Sequence, residues 1–288
     1  MRKVLLATTA LVAMSVTAAQ ADVSISGNQT FEYSESGGDA TFYQDGAVTV
    51  KSVSTLDNGL TATAVYTIST STGDGLGSTA NAGDAVDDSY LDLAGDFGSI
   101  RMGNTDDALD LNDGAVPSNW DENGHAGGFA IGGKQGAGNE TISFTAPTIS
   151  GIKAYGFSSS NGSESGMGVN YSNGPITVMY QTGEDGTNSE TLIAANFSMA
   201  GATIGFSSGD REAAGGAKTT ATSMGVKYSV SSALDMYYVS QKNAKGEKNK
   251  TSLGGYYTIA PGLSAALETA NDGQTNETTT YAHLQVSF

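Results

Sequence analysis

The feature that most constrains the fold is an alternation of apolar and polar side chains with a period of two residues. In the last segment, one face carries Thr280, Ala282, Leu284, Val286 and Phe288, and the other carries Tyr281, His283, Gln285 and Ser287. The same alternation recurs at 23–27, 167–172, 176–181, 192–199 and 224–230. A period of two is typical of β-strands, and beyond residue 21 no segment shows the 3.6-residue apolar stripe of an amphipathic helix. The sequence therefore predicts an all-β protein.

The breaks between these strands alternate between short and long. Short breaks, rich in the Gly, Asn, Asp and Pro residues that favour tight reversals, lie at 56–59, 95–98, 147–151, 172–175, 199–201, 229–232 and 260–262. Longer polar breaks lie near 35–40, 72–86, 104–138, 159–165, 182–189, 208–217, 241–249 and 271–277. Seven turns and eight loops connect sixteen strands. An even number of antiparallel strands, with short turns at one end and longer loops at the other, predicts a 16-stranded antiparallel transmembrane β-barrel wide enough to enclose an aqueous channel.

The composition fits a barrel, although only 38% of the residues are hydrophobic and the formal net charge is −17. In a barrel only the outer face meets hydrocarbon, whereas the inner face lines water and stays polar. A soluble β-sandwich or β-helix is the alternative, but the chain ends on a strand at Phe288, and aromatic residues fall near strand ends, where a membrane interface favours them. These aromatic residues are Tyr33, Tyr66, Tyr90, Tyr171, Tyr180, Tyr228 and Phe288.

Composition also excludes several classes of protein. With no cysteine, a disulfide scaffold, an iron–sulfur protein and a thiol enzyme are excluded. Two histidines, His125 and His283, leave little room for a multi-histidine metal site. Thirty acidic residues against thirteen basic ones argue against nucleic acid as a partner, because phosphate binding needs a basic surface.

The first 21 residues are typical of a secretory signal peptide. Arg2 and Lys3 form a positive start, an uncharged apolar stretch follows from Val4 to Val16, and 19–21 read Ala-Gln-Ala, a small-residue cleavage site. We expect cleavage before Asp22, so that one barrel domain comprises residues 22–288. The signal predicts export from the cytoplasm.

Four segments resemble the general porins of alphaproteobacteria. They are the Ala-Gln-Ala signal end, the start Asp-Val-Ser-Ile-Ser-Gly at 22–27, the segment Ser-Tyr-Leu-Asp-Leu-Ala-Gly-Asp-Phe-Gly-Ser-Ile-Arg-Met-Gly-Asn at 89–104, and the ending Tyr-Ala-His-Leu-Gln-Val-Ser-Phe at 281–288. The resemblance implies a homotrimeric barrel in the outer membrane of a Gram-negative bacterium, in contact with membrane lipid and lipopolysaccharide. It also implies that the third long loop folds into the channel, and that the strand ending at Phe288 is recognised by the barrel-assembly machinery.

That third loop, about 104–138, is the candidate constriction. Its acidic residues are Asp106, Asp107, Asp110, Asp113, Asp121 and Glu122, with no Lys or Arg before Lys134. Carboxylates in a narrow lumen favour cations. The resemblance implies opposing basic residues on the wall. Side chains alternate in direction along a strand, which we call parity, so Arg101 is expected to face inward because its neighbours Ile100 and Met102 suit the lipid face. The same argument places Lys227 inward. The parity of Lys51 and Lys153 is ambiguous. A solvated outer loop with no specific role is the alternative.

Calcium is the one cofactor that the sequence suggests. Oxygen ligands from Asp106, Asp107, Asp110 and Asp113 could gather this hard cation, and the resemblance supports it, since similar porins hold calcium near the constriction. A second acidic group, Asp84, Asp87 and Asp88, could do the same. The spacing matches no EF-hand loop, and solvated carboxylates are the alternative.

The predicted function is passive diffusion of small hydrophilic solutes and ions, with a preference for cations. We expect no enzyme, because the sequence shows no Gly-x-Ser-x-Gly elbow and no evident nucleophile–base pair. A substrate-specific outer-membrane channel is the main alternative, and would need an aromatic or basic ladder that inward tyrosines could form. A secreted adhesin-like β protein is the other alternative.

Overall fold

The computed structural model describes residues 21–69, 86–104, 116–117, 141–159, 162–184, 186–242 and 249–288. Within these residues the chain forms sixteen β-strands. They are β1 (Asp22–Ser36), β2 (Asp39–Thr55), β3 (Thr61–Ser69), β4 (Val86–Gly95), β5 (Gly98–Asn104), β6 (Thr141–Thr145), β7 (Ile152–Ser159), β8 (Ser165–Asn173), β9 (Ile176–Glu184), β10 (Ser189–Met199), β11 (Ala202–Glu212), β12 (Lys218–Ser229), β13 (Leu234–Lys242), β14 (Lys250–Ala260), β15 (Leu263–Asn271) and β16 (Thr278–Ser287).

The strands form one closed antiparallel barrel. Each strand pairs with its neighbours in sequence, and β1 also pairs with β16 to close the sheet. At this seam Thr30 lies opposite Gln285, and the Gln285 Nε2 donates to Thr30 Oγ1 at 3.0 Å. Among the described strands closure leaves no edge strand, as a lipid environment requires. The predicted fold class and the strand number are confirmed.

One break is shorter than the sequence predicts. Strands β1 and β2 continue to Ser36 and from Asp39, so the longer break expected near 35–40 is wrong, and a two-residue turn takes its place. Gly37 and Gly38 have φ of 62° and 93°, the left-handed geometry of a type I′ hairpin turn, which suits the twist of paired strands. Polar residues around the turn therefore belong to two long strands.

The two faces of the wall differ as the alternation predicts. In β16, Leu284 and Val286 are exposed on the outside, whereas Tyr281 and His283 are buried on the inside. Other exposed outward side chains include Ile25, Phe31, Leu91, Ile142, Met167, Ile193, Phe206, Leu253 and Leu267. An apolar surface of this extent is unfavourable in water and favourable in a bilayer.

The side chains of the described residues do not form the apolar core of a soluble sandwich. The buried apolar clusters among the described residues are pairs: Tyr155 with Phe157, Met179 with Ala194, and Leu192 with Ala221. The inner wall otherwise carries many Ser, Thr and charged residues. The fold therefore excludes the packed β-sandwich that the sequence left open. Separately, no helix in the described part of the chain is long and apolar enough to cross a membrane.

An aromatic side chain stabilises the inner wall by covering a glycine on the neighbouring strand. Tyr155 of β7 lies over Gly168 of β8, where a Cβ would come within 2.5 Å of its ring. Its hydroxyl then donates to Gln181 Oε1 of β9 at 3.1 Å. Aromatic cover of a strand glycine fixes register, so this contact ties three adjacent strands together.

Candidate functional site

The segment between β5 and β6 reaches the inside of the barrel at Val116 and Pro117. Val116 is only 3% exposed, and both residues lie against Gly225 of β12. Gly225 shares the inner face with Ser223 and Lys227, since side chains alternate along β12. Because β12 is seven strands from β5 in a ring of sixteen, Val116 and Pro117 lie against nearly the opposite wall.

Small residues line the part of the inner wall against which Val116 and Pro117 pack. Gly225 lies in register with Gly205 of β11, and nearby inward residues Ser207 and Ser223 are almost fully buried. A Cβ on Gly225 would overlap the Pro117 carbonyl oxygen and lie 2.8 Å from Val116 Cγ1. The close approach of backbone to backbone therefore requires glycine at position 225.

The acidic residues predicted to form the constriction lie outside the described residues. They are Asp106, Asp107, Asp110, Asp113, Asp121 and Glu122. The calcium prediction depends on four of them and therefore stays a prediction. Within the described part of the chain, no three His, Asp or Glu residues converge in a way that could hold a metal ion.

Arg101 lies on the inner face, where parity predicts it. Its Nε is 3.2 Å from the Asp92 Oδ2 of the neighbouring strand β4, and its guanidinium carbon lies 4.1 Å from the centre of the Tyr90 ring. Tyr90 thus faces the lumen as a stacking partner, and its assignment to an interfacial girdle is wrong. The signal was available in the sequence, because Leu91 and Leu93 place Tyr90 on the other face.

Lys227 also lies on the inner face, close to the short-turn end of the barrel. Its Nζ is 2.9 Å from Asp235 Oδ2 of β13. A third inward pair joins Arg211 to the buried Glu190, at 3.3 Å between Nε and Oε1. Each of these basic residues has a carboxylate partner on the adjacent strand, so the opposing basic charge expected from Arg101 and Lys227 is largely balanced locally.

The strand register shows which face of the wall carries Lys51 and Lys153, the two lysines with ambiguous parity. Lys51 pairs with Val65, an inward residue of β3, and Lys153 precedes the inward Tyr155 by two positions. Both lysines therefore face the lumen, and neither makes an ion pair with another described residue. The sequence left the face of Lys51 open because Val53 interrupts the alternation that Val48 and Val50 begin.

Comparison with known proteins now adds the family. A model of the Gram-negative porin family matches residues 7–277. This chain belongs to the Gram-negative porin family. No curated protein sequence matches it.

Solved structures support the same architecture. A Rhodopseudomonas blastica porin variant with four alanine substitutions superimposes with a TM-score of 0.74 at 17% identity, covering 93% of this porin and all of that chain. Another variant of that porin, with an alanine replaced by lysine, gives 0.76 at 16% identity and the same coverage. At these identities the likeness establishes the fold.

The pairing of Arg101 with Asp92 gives a testable consequence for this porin. We expect Arg101→Gln to shift the ion selectivity toward cations, because it leaves the Asp92 carboxylate uncompensated on the inner wall. The double variant Asp92→Asn/Arg101→Gln removes equal and opposite charges, so its zero-current potential in a KCl gradient should stay close to that of the unmodified porin. Equal shifts in the single and the double variant would contradict this account of the pair.

Proposed function

We propose that this porin forms a water-filled channel for passive diffusion of small hydrophilic solutes and ions across the outer membrane. The observation that carries the proposal is a closed barrel with an apolar outside and a polar inside, with Val116 and Pro117 seated in its interior. A channel of this kind makes and breaks no bonds. Stepwise ion conductance in planar bilayers tests it, and a purified, folded protein without conductance would overturn it.

We infer a preference for cations from the balance of charge. In the described part of the inner wall, Arg101, Lys227 and Arg211 each pair with a carboxylate on the adjacent strand. The segment 104–138 adds six carboxylates and no basic residue before Lys134. Lys51 and Lys153 add two positive charges, which is fewer than the six negative charges of this segment. The electric field in the lumen therefore favours cations. The sign of the zero-current potential in a KCl gradient tests the inference, and a clear preference for anions would refute it.

A homotrimer is proposed from the outer face of β2, β3 and β4. The outward positions Ser52, Ser54, Ala62, Ala64 and Ser89 are small, and three carry hydroxyl groups. A groove of about 460 Å³ lies here between Val50, Tyr66, Leu91 and Met102. Hydroxyl groups facing hydrocarbon are unfavourable, and small residues allow close approach of another surface. Contact with a second copy would therefore cover this face better than lipid.

A bulky side chain in this groove should prevent trimer formation. We expect Ala64→Trp to shift the purified porin from trimer to monomer, as measured by light scattering in mild detergent. The matched control is Ala195→Trp on the outer face of β10, where Ile193 and Phe197 are exposed like lipid-facing residues, and this variant should stay trimeric. A trimeric Ala64→Trp would place the subunit interface on other strands.

The remaining partners follow from the outer surface. Phe288 is 69% exposed at the end of the last strand, and its backbone exchanges two hydrogen bonds of 3.0 Å with Gly27. An exposed aromatic at the closing seam supports recognition of this strand by the assembly machinery. The apolar outer residues support contact with outer-membrane lipid, and with lipopolysaccharide in the outer leaflet.

A further inference from the structure

Four inward side chains near the short-turn end of the barrel form a compact patch. Lys227 of β12 lies opposite Tyr237 of β13, and Asp235 of β13 lies opposite Tyr256 of β14. We call these four residues the exit patch. All four are half-buried on the lumen side of the wall, so part of each side chain stays accessible from the channel.

The exit patch combines aromatic and polar groups at close range. The two tyrosine rings lie 5.3 Å apart, centre to centre, at 61° to each other. Lys227 Nζ lies 5.6 Å from the centre of the Tyr237 ring and 2.9 Å from Asp235 Oδ2. The patch thus brings two ring surfaces, phenolic hydroxyls, an ammonium and a carboxylate together on residues that are each partly exposed.

The exit patch lies close to Val116 and Pro117 along the channel wall. Lys227 is two positions along β12 from Gly225, on the same face and toward the short-turn end. Gly225 is where Val116 and Pro117 lie against the wall. A solute that has passed these residues therefore meets the exit patch next.

The chemistry of the patch selects a class of solute. Lys227 and Asp235 neutralise each other, so the patch carries no net charge and gives an ion no advantage. A neutral ring-shaped polyol can place its apolar face on a tyrosine ring and exchange hydrogen bonds with the paired charges, which both donate and accept. We propose that the exit patch is a weak binding subsite for saccharides, a proposal that rests on the channel function proposed above.

Titration of channel conductance with maltotriose tests the subsite. We expect the sugar to reduce ion current and to add current noise, with saturation at high concentration. In Tyr237→Leu/Tyr256→Leu the half-blocking concentration should rise roughly tenfold or more, since two ring contacts are lost. In Tyr237→Phe/Tyr256→Phe the rings remain, so most of the block should remain.

The matched control uses the next residue on each strand. Tyr238 and Tyr257 lie on the same strands but face outward and are exposed, so Tyr238→Leu/Tyr257→Leu should keep the block of the unmodified porin. This control variant also shows how much of the loss of ion current is due to the viscosity of the sugar solution. Conductance without saturable block, or equal block in the inner and outer leucine variants, would overturn the subsite while leaving the channel intact. Absence of any conductance would instead overturn the channel function itself.

Discussion

Gly225→Leu should lower the single-channel conductance and increase the noise of the open channel. A Cβ at position 225 would overlap the Pro117 carbonyl oxygen, so the leucine must push Val116 and Pro117 away from β12 and into the open lumen. Overpacking of this kind typically destabilises a protein by about 1–3 kcal/mol, which also weakens the hold of the wall on this segment. The expected result is a narrower and less steady passage, measured by single-channel recording in planar bilayers.

A glycine on the outer face provides the control for this experiment. Gly255 of β14 faces outward, and the nearest atom to a Cβ there would be Sδ of the flexible Met236 side chain at 3.0 Å, with the Asp235 carbonyl oxygen at an ordinary contact distance of 3.8 Å. Gly255→Leu therefore adds the same side chain to the wall without touching the lumen, and should conduct like the unmodified porin. If Gly225→Leu and Gly255→Leu conduct alike, Val116 and Pro117 do not bound the passage.

Replacing Asp106, Asp107 and Asp110 together with asparagine should remove most of the proposed cation preference. These residues are the first acidic residues of the third loop. Carboxylates that lie closer to a permeating ion than the Debye length are only weakly screened by salt. The Debye length is about 10 Å at 0.1 M salt, so the effect should be largest in dilute KCl. The measurement is the zero-current potential across a KCl gradient, which should move toward zero.

A control with the same loss of charge separates local from overall electrostatics. Glu35, Glu184 and Glu212 lie at outward positions near the end of the barrel opposite the short turns at 56–59 and 172–175, and all three are exposed. Their replacement by glutamine removes three negative charges without changing the lumen, so the zero-current potential should hardly change. Similar potentials in the loop variant and the unmodified porin would mean that these aspartates do not line the passage.

Local sequence patterns predicted more of the wall than of the site. Ile100 and Met102 were enough to place Arg101 inward, because side-chain direction in a strand alternates with every residue. The same rule left the face of Lys51 open, because Val53 breaks the pattern, and only the pairing with Val65 shows that Lys51 faces inward. Polar residues around Gly37 and Gly38 suggested a longer break, although the two glycines permit a two-residue turn.

The charge balance of the wall depended on contacts that parity cannot give. Parity predicted that Arg101 and Lys227 face the lumen, but it did not pair them with Asp92 and Asp235. Those ion pairs depend on cross-strand register, since neighbours on adjacent strands determine which charges meet. The wall therefore opposes the loop with less basic charge than a count of inward lysines and arginines suggests.

The sequence by itself determined the strands, their number and their two faces, because alternation and turn composition are local properties of the chain. Only the tertiary structure decided the register in which β1 pairs with β16, and that Val116 and Pro117 lie against Gly225 on nearly the opposite wall. Such contacts join residues far apart in the chain, and they form only once the barrel has closed and fixed which parts of the inner wall face each other.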